Sequence, residues 1–463
     1  MAAAAPAQIA GADRPNLLLL LSDDHSAPYM GAYGDTVIKT PNLDKFASEG
    51  MRFDWMFTAA PQCVPSRTAL MTGRSPVSCR MGRFSSPLPP DIVTLPELLR
   101  PAGYFTGICR RNFHLDGSPA NRTNEVVERT FQKYGLRTFD RRVDWLDRNS
   151  PAAKTVPLVN EFLDKVPSGK PFFLWVSFND PHHPWDRNAI AKPHDPKALK
   201  LAPQLPDLPG MRDDLARYYD EISRVDGEVQ SILDIVKKRG LDRNTLVVFM
   251  GDNGMAFPHG KGSLYDPGMH VPFIVRWPGK VKPGSSTKEL ASGEDLAPTM
   301  LEAAGIRTPA SITGKSFLGV LRGDAKGPRD HIYAARLAHG SAGVTDTTKA
   351  NTFDLSRCVR TKTHKLIYNC TPQYEYWPVD SGNDDGWKET VAAHQAGTLK
   401  PELDRAYFGK RKVFELYDLE KDPAELNNVA ERPEYAAVRK QLVNIMQERM
   451  ILDYDFLPLP MNG

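Results

Sequence analysis

The sequence has no long apolar segment, few cysteines and little net charge. Apolar runs such as Leu17 to Leu21 hold five residues, whereas a membrane-spanning helix needs about 20, so we expect no membrane span. Five cysteines among 463 residues are too few for a fold built on disulfides. A formal net charge of +3 is small for this length. It argues against a nucleic-acid partner and is compatible with a local basic pocket.

Buried strands with polar ends recur along the first part of the chain. Three apolar runs predict strands buried on both faces: Leu17 to Leu21, Pro171 to Phe178, and Leu246 to Met250. Polar residues follow each run directly, at the edge of an open α/β sheet where ligands bind. Helical patterns separate the strands over Pro41 to Ser48, Thr94 to Pro101, Thr155 to Lys165 and Asp213 to Arg239. We therefore expect an α/β domain with a large, mostly parallel sheet flanked by helices.

The pattern changes after about residue 327. Short strand candidates without intervening helices follow at His331 to Arg336, Arg357 to Arg360, His364 to Asn369 and Val413 to Leu419. A final amphipathic helix is expected over Glu434 to Met450, and the polar stretch from Thr371 to Lys412 is expected to be a long irregular loop. These features predict a main domain at 1–327 and a C-terminal subdomain at 328–463 that carries a small antiparallel sheet.

Two of the cysteines raise the question of a disulfide. Cys358 and Cys370 flank a hairpin tip centred near His364. If the register places them opposite each other, they could be bridged. Two unpaired, small apolar side chains are the alternative.

Cys63 opens the segment C-V-P-S-R, which ends at Arg67 just before a short helical stretch, Thr68 to Thr72. At a helix N-terminus, unpaired backbone N–H groups and the helix dipole favour an anion. Pro65 suits the first turn because it has no N–H, and Arg67 adds a permanent positive charge. These surroundings predict a stabilised thiolate. A buried, inert cysteine is the alternative.

Two pairs of oxygen-bearing side chains stand at strand ends. Asp23 and Asp24 follow the first strand, and Asp252 and Asn253 follow the third. Adjacent carboxylates repel each other unless a cation lies between them, and these four side chains are hard ligands suited to Ca²⁺ or Mg²⁺. Turn chemistry, which favours Asp and Asn at corners, is the competing interpretation.

Histidine and basic side chains stand near the same strand ends. His182 lies in the sequence P-H-H-P directly after the second strand, and Lys261 lies in H-G-K-G after the third. His114 ends the sequence R-R-N-F-H, which also holds Arg111. Taken singly, each of these residues could be a structural side chain or a solvated one.

The spacing C-x-P-S-R resembles the signature of the type I sulfatases. In that family a maturation enzyme that reads C-x-P-x-R oxidises the cysteine to formylglycine, and the hydrate of this aldehyde is the nucleophile. The resemblance implies that Cys63 is converted in this way. It also implies the alkaline-phosphatase-like sandwich, with a catalytic sulfatase domain at 1–327 and a C-terminal subdomain at 328–463.

The resemblance further implies a metal site. Its ligands would be Asp23, Asp24, Asp252 and Asn253, together with formylglycine at position 63. The implied ion is Ca²⁺, with Mg²⁺ or Mn²⁺ as alternatives.

The same resemblance gives the remaining candidates their roles. His182, with Lys261, would protonate the leaving group, and His114 would remove a proton from the second hydroxyl of the hydrate. Arg67 and Arg111 would balance the negative charge of the sulfate. Arg111 stands where the family usually has lysine, so we expect the geometry there to differ.

Sulfated carbohydrates are the favoured substrates. The sequence around Lys261 looks like that of heparan N-sulfatases, and the Phe113-His114 spacing looks like that of iduronate-2-sulfatases. Three alternatives stay open: an arylsulfatase acting on small sulfate esters, a phosphonate monoester or phosphodiester hydrolase, and a binding protein in which Cys63 is never converted.

The Ala-rich first residues, Met1 to Ala12, carry no charged side chain. They show neither the basic n-region nor the apolar h-region of a signal peptide. We expect an exported protein, periplasmic or secreted, whose signal peptide is absent or trimmed, and a cytoplasmic location stays open.

Overall fold

Two larger sheets, of eight and four strands, and a short sheet of two strands organise the chain in a computed structural model, which describes residues 14–84, 86–116, 125–147, 150–323, 326–339, 349 and 353–461. The strands are β1 Asn16–Ser22, β2 Met51–Phe53, β3 Met56–Phe57, β4 Phe105–Cys109, β5 Trp145–Leu146, β6 Phe172–Ser177, β7 Thr245–Gly251, β8 Phe273–Arg276, β9 Ser285–Thr287, β10 Ala291–Ser292, β11 His331–Arg336, β12 Ser356–Thr361, β13 His364–Asn369 and β14 Phe414–Asp418. The segment Met1 to Ala12 lies outside the described residues.

Helices surround the two larger sheets. They are α1 Pro41–Ser48, α2 Cys63–Thr72, α3 Leu95–Leu99, α4 Glu125–Tyr134, α5 Phe139–Arg142, α6 Thr155–Lys165, α7 Pro209–Lys238, α8 Asp266–Met269, α9 Leu296–Ala303, α10 Leu318–Arg322, α11 Asp385–Gln395, α12 Pro401–Phe408 and α13 Ala436–Leu452. None of the helices in the described ranges has the length and apolar content needed to cross a bilayer.

The large sheet has eight strands in the order β5-β4-β6-β1-β7-β8-β2-β9. Only β8 runs antiparallel to its neighbours within this sheet, which confirms the prediction of a large, mostly parallel sheet. The three predicted core strands, β6, β1 and β7, lie side by side at its centre. Their carboxyl ends therefore meet at one edge, where polar residues follow each strand.

The leucines of β1 explain why helices cover both faces of this sheet. Leu17, Leu19 and Leu21 point into one apolar core, which α9 closes, and Leu18 and Leu20 point into a second core, which α7 closes. Side chains alternate between the two faces of a strand, so an unbroken apolar run needs a core on each side.

The second sheet confirms the predicted small antiparallel unit. Its strands pair in the order β11-β12-β13-β14, each antiparallel to the next, and α13 packs against them. The first of these strands begins at His331, close to the predicted division after residue 327. That division itself stays a prediction.

One expectation for the C-terminal part is wrong. The stretch Thr371 to Lys412 is not an irregular loop, since it contains α11 and α12. Trp387, Leu403 and Tyr407 from these helices form a small apolar core, and this tertiary packing stabilises helices that the polar sequence does not reveal. Of the two interpretations left open for Cys358 and Cys370, the structure has the unpaired thiols, because the register places Cys358 opposite Ile367.

Candidate active site

The two predicted ligand pairs meet because β1 and β7 are parallel neighbours. Ser22 lies opposite Gly251 in the register, so the residues that follow them leave the sheet together. The Asp24 backbone N–H donates to Asp252 Oδ1 at 3.0 Å, and Asn253 Nδ2 donates to Asp24 Oδ1 at 2.8 Å. All four side chains of the two pairs are fully buried.

Cys63 is the first residue of α2, so the helix begins five residues earlier than its predicted stretch. Its sulfur lies 3.3 Å from Asp23 Oδ1 and 3.8 Å from Asp24 Oδ1. Pro65 is in the first turn, as expected, and Gly73 ends the helix in the left-handed conformation at φ 65°. The helix thus directs its N-terminus at the carboxyl edge of the sheet.

The expectation of a stabilised thiolate at Cys63 is wrong for this structure. Burial first, and then the charge of Asp23, raise the pKa of the Cys63 thiol well above its usual value. The positive charge of Arg67 does not reverse this shift, because its guanidinium already binds Asp252 Oδ2 at 2.8 Å and Asp23 Oδ2 at 3.1 Å. The sulfur is therefore a buried thiol surrounded by carboxylates.

Arginines neutralise the carboxylate of Asp23. Arg111 Nε lies 2.9 Å from Asp23 Oδ2, and Arg111 Nη1 donates to Asn179 Oδ1 at 2.6 Å. Burial alone would raise the pKa of Asp23, but Arg111 and Arg67 outweigh it and hold the pKa well below the usual range. His114 Nδ1 lies 3.9 Å from the same carboxylate oxygen, Oδ2. Burial, with Arg111 and Arg67, lowers the pKa of His114 and favours its neutral form.

Lys261 joins the second aspartate to a histidine. Its ammonium group donates to Asp24 Oδ2 at 2.8 Å and lies 3.1 Å from His182 Nε2. The other ring nitrogen of His182 contacts the His183 carbonyl oxygen, which assigns the ring proton to Nδ1 and leaves Nε2 as an acceptor. Burial and the charge of Lys261 lower the pKa of His182 to about 3. His182 is therefore neutral.

All ten predicted site residues thus lie in one connected cluster. It links the carboxyl ends of β1, β6 and β7 to the start of α2. A family model described as Sulfatase matches residues 15–306, a range that holds all ten of them.

The chain belongs to the sulfatase family. A second model, described as the C-terminal part of N-sulphoglucosamine sulphohydrolase, matches residues 257–395. By its family the chain is an enzyme of the sulfuric ester hydrolase class.

Known proteins similar to this sulfatase cover nearly its whole length. An ulvan-active sulfatase of Formosa agariphila is 28% identical over 94% of this chain and 74% of its own length. The N-sulphoglucosamine sulphohydrolase of Homo sapiens is 27% identical over 94% of this chain and 89% of its own. A structure solved in complex with D-glucosamine-2-N,6-O-disulfate superposes with a TM-score of 0.70 at 20% identity, over 96% of this chain and 99% of its own. That likeness confirms the sulfatase-like fold.

The side chains of this sulfatase fit a bound cation. Atoms of Asp23, Asp24, Cys63 and His182 that can act as ligands all lie within 4.8 Å of one another. Asn253 Oδ1 is buried and, among the described residues, has no hydrogen-bond partner. Each carboxylate of the site also has partners within the protein: Arg67 and Arg111 at Asp23, Lys261 and Asn253 at Asp24, and Arg67 with two backbone N–H groups at Asp252. These oxygen donors suit a hard cation.

Two further residues belong to this cluster that the sequence did not indicate. Asp380 Oδ2 accepts from Lys261 Nζ at 2.7 Å, and His339 Nε2 lies 3.8 Å from Asp380 Oδ1. His339 follows β11, and Asp380 lies between β13 and α11. Neither residue stands in a recognisable motif. The only signal for Asp380 is the turn-rich sequence P-V-D-S-G-N around it.

Proposed function

We propose that this sulfatase hydrolyses the sulfate ester or N-sulfate of a sulfated saccharide, using formylglycine formed from Cys63 and a divalent cation. The proximity of the Cys63 sulfur to Asp23 and Asp24, at 3.3 and 3.8 Å, is the observation that carries the proposal. It supports a site in which the modified side chain and a cation lie beside the same carboxylates. The names of the ulvan-active and N-sulphoglucosamine relatives support a saccharide substrate.

Asp23, Asp24, Asp252 and Asn253 would hold the cation, together with the modified side chain at position 63. Ca²⁺ is the proposed ion, and Mg²⁺ or Mn²⁺ would suit the same oxygen donors. When bound, the cation polarises sulfate oxygens, and formylglycine supplies the attacking oxygen as its hydrate. The chain's own side chains then bind the substrate and move its protons.

Arg67 and Arg111 set the charge of the site. Arg67 is fully buried and holds Asp23 and Asp252 in place, with a further bond from Nη1 to Ser177 Oγ at 3.1 Å. Arg111 keeps 8% of its side chain exposed and can turn an N–H toward an incoming sulfate oxygen. Each charge-assisted hydrogen bond of this kind contributes about 1.5–3 kcal/mol.

His182 and Lys261 would protonate the leaving oxygen or nitrogen. The Lys261 ammonium group is the proton source, because His182 Nε2 carries no proton and accepts from Lys261 at 3.1 Å. His114 lies 3.9 Å from Asp23 Oδ2 and is neutral, so it can take up a proton. The acid therefore contacts Asp24 and the base lies beside Asp23, the two carboxylates that the Cys63 sulfur contacts.

The proposal is tested by expressing the protein with a formylglycine-generating enzyme and measuring sulfate release. The substrates are sulfated mono- and disaccharides, including N-sulfated glucosamine, with p-nitrophenyl sulfate and a phosphonate monoester as comparisons. The tryptic peptide that holds position 63 should be lighter than its cysteine form by roughly 18 Da, as expected for this oxidation. A converted protein that releases no sulfate from any sugar would contradict the proposal.

A further inference from the structure

Asp380 brings a carboxylate from the C-terminal part of the chain to the entrance of the candidate active site. Its Oδ2 lies 2.7 Å from Lys261 Nζ and 4.0 Å from His182 Nε2. A quarter of the Asp380 side chain is exposed, whereas Lys261 is 1% exposed. Of the two carboxylates that Lys261 contacts, Asp380 is therefore the one that solvent, and hence a substrate, can reach, because Asp24 is fully buried.

The backbone around Asp380 is held firmly in place. Asp380 itself adopts the left-handed conformation at φ 66°. Its neighbour Val379 packs so closely on Gly262 that a side-chain carbon at Gly262 would lie 2.3 Å from it. A few residues further, Asp384 lies 2.8 Å from His183 Nε2. Contacts on both sides of Asp380 thus fix its position relative to His182 and Lys261.

Lys261 shares its positive charge between two carboxylates. Its three N–H donors are taken by Asp24, Asp380 and His182. One ammonium group thus faces two carboxylates, at 2.8 Å and 2.7 Å. Asp384 is 23% exposed and lies nearby, but it is paired with His183, whose pKa it raises. A second negative group on a substrate would therefore meet the Asp380 carboxylate directly.

Asp380 lies near the place that the proposed function gives to the part of the substrate around the leaving group. In the proposed function, His182 and Lys261 contact the leaving oxygen or nitrogen. The carbon that bears this atom, and the substituents on the neighbouring carbons, then lie within reach of Asp380. Its carboxylate oxygens are acceptors for hydroxyl or amino hydrogens and repel another anion.

We propose that Asp380 is a specificity-determining residue. It recognises the substituent on the carbon next to the one that bears the sulfated oxygen or nitrogen. It favours a neighbouring hydroxyl or amino group and disfavours a neighbouring sulfate or carboxylate. This inference rests on the proposed function, because it takes the direction of the leaving group from the roles of His182 and Lys261. It names the substrate class more closely: sugars that carry a single negative group near the scissile bond.

The test compares two sugars that differ by one negative group. Glucosamine 2-N-sulfate and glucosamine 2-N,3-O-disulfate are titrated into the full-length, Ca²⁺-loaded Cys63→Ala protein, which binds without turnover. The same titrations are made with the double variant Cys63→Ala, Asp380→Asn. The second substitution removes the negative charge of Asp380 and keeps the size of its side chain. We expect Asp380→Asn to shift the ratio of the two dissociation constants at least tenfold in favour of the disulfate. Asp380→Ser should shift it in the same direction.

A matched control is available in α12. Asp404→Asn makes the same chemical change at a carboxylate that lies 2.5 Å from His394, and it should leave both dissociation constants unchanged. If Asp380 acts only by positioning Lys261, its loss would weaken both sugars equally, and the unchanged ratio would overturn the inference. If neither sugar binds the Cys63→Ala protein that keeps Asp380, the inference fails for these sugars, and the sulfate-release assay of the proposed function then decides that function separately.

Discussion

The sulfur of Cys63 lies 3.3 Å from Oδ1 of Asp23, although the two residues belong to different elements of the fold. Asp23 follows the central strand β1, and Cys63 begins α2. Burial first, and then the negative charge of Asp23, raise the pKa of the thiol, which is the opposite of what a cysteine nucleophile needs. A thiolate is therefore disfavoured at this position, and the proposed function does not require one.

Cys63→Ala should abolish sulfate release, because no aldehyde can form at an alanine. We expect kcat to fall by at least a thousandfold in matured enzyme, while the melting temperature changes little. Cys358→Ala is the matched control, since Cys358 is an equally buried thiol in the second sheet. It should keep full activity. Measurable turnover by Cys63→Ala would exclude position 63 as the source of the nucleophile.

Much of the fold is predictable because the strongest signals are local. The apolar runs of β1, β6 and β7 end at polar residues, and the structure places the strand ends within a residue or so of the predicted positions. The start of α7 was missed by four residues, at Pro209, whose fixed φ suits a first helical turn. Helices α11 and α12 were missed altogether, because their stability comes from packing around Trp387 and Tyr407.

Only those residues of the candidate site that belong to a sequence motif can be predicted. The motif residues from Asp23 to Lys261 lie together as expected, but the sequence does not show which charges neutralise which. Arg67 looked like a charge directed at Cys63, whereas its buried guanidinium pairs with Asp23 and Asp252. Asp380 could not be predicted for a related reason. It contacts Lys261, which lies 119 residues away in the sequence.

Removal of divalent cations should lower both activity and thermal stability. Burial raises the pKa of Asp24 to about 6 and of Asp252 to about 7, and Asp23 adds to both shifts. A cation bound among these carboxylates stabilises the folded state by about 2.7 kcal/mol at a hundredfold excess over its Kd. We expect a chelator to lower the melting temperature and added Ca²⁺ to restore it.

Asn253→Ala provides the control for this cation effect. It removes an oxygen donor that has no other partner among the described residues. The variant should need more Ca²⁺ to reach the same melting temperature. Equal melting curves for the original protein with chelator and with Ca²⁺ would contradict a cation site among these residues.

Arg67→Leu should destabilise the protein strongly. Arg67 and its partners Asp23 and Asp252 have no exposed side-chain surface, so its loss leaves the buried Asp252 without a counter-charge and Asp23 with Arg111 alone. Breaking a buried pair in this way costs about 3–5 kcal/mol. Guanidinium denaturation should show this loss. Arg80→Leu, which breaks the exposed pair with Asp91, should change the unfolding free energy by less than about 1 kcal/mol.

Glu221→Gln should stabilise the protein, and increasingly so as pH rises. Burial, followed by the charge of Asp180, raises the pKa of Glu221 from 4.5 to about 9. Between these values the folded protein holds a proton that the unfolded chain releases, so ionisation of Glu221 costs stability as pH increases from roughly 4.5 toward 9. Glutamine cannot ionise and keeps an oxygen acceptor for the Asp186 N–H, which now donates to Glu221 Oε1 at 2.8 Å.

We expect a gain of about 1–2 kcal/mol at pH 8 and almost none at pH 4.5, read from melting curves at a series of pH values. Arg224 should stay paired in the variant, because it also binds Asp180 and Asp186. The same substitution at the exposed Glu420 should have no pH-dependent effect. A gain that is constant across the pH series would show that Glu221 titrates normally in the folded protein, and that its burial beside Asp180 is relieved in solution.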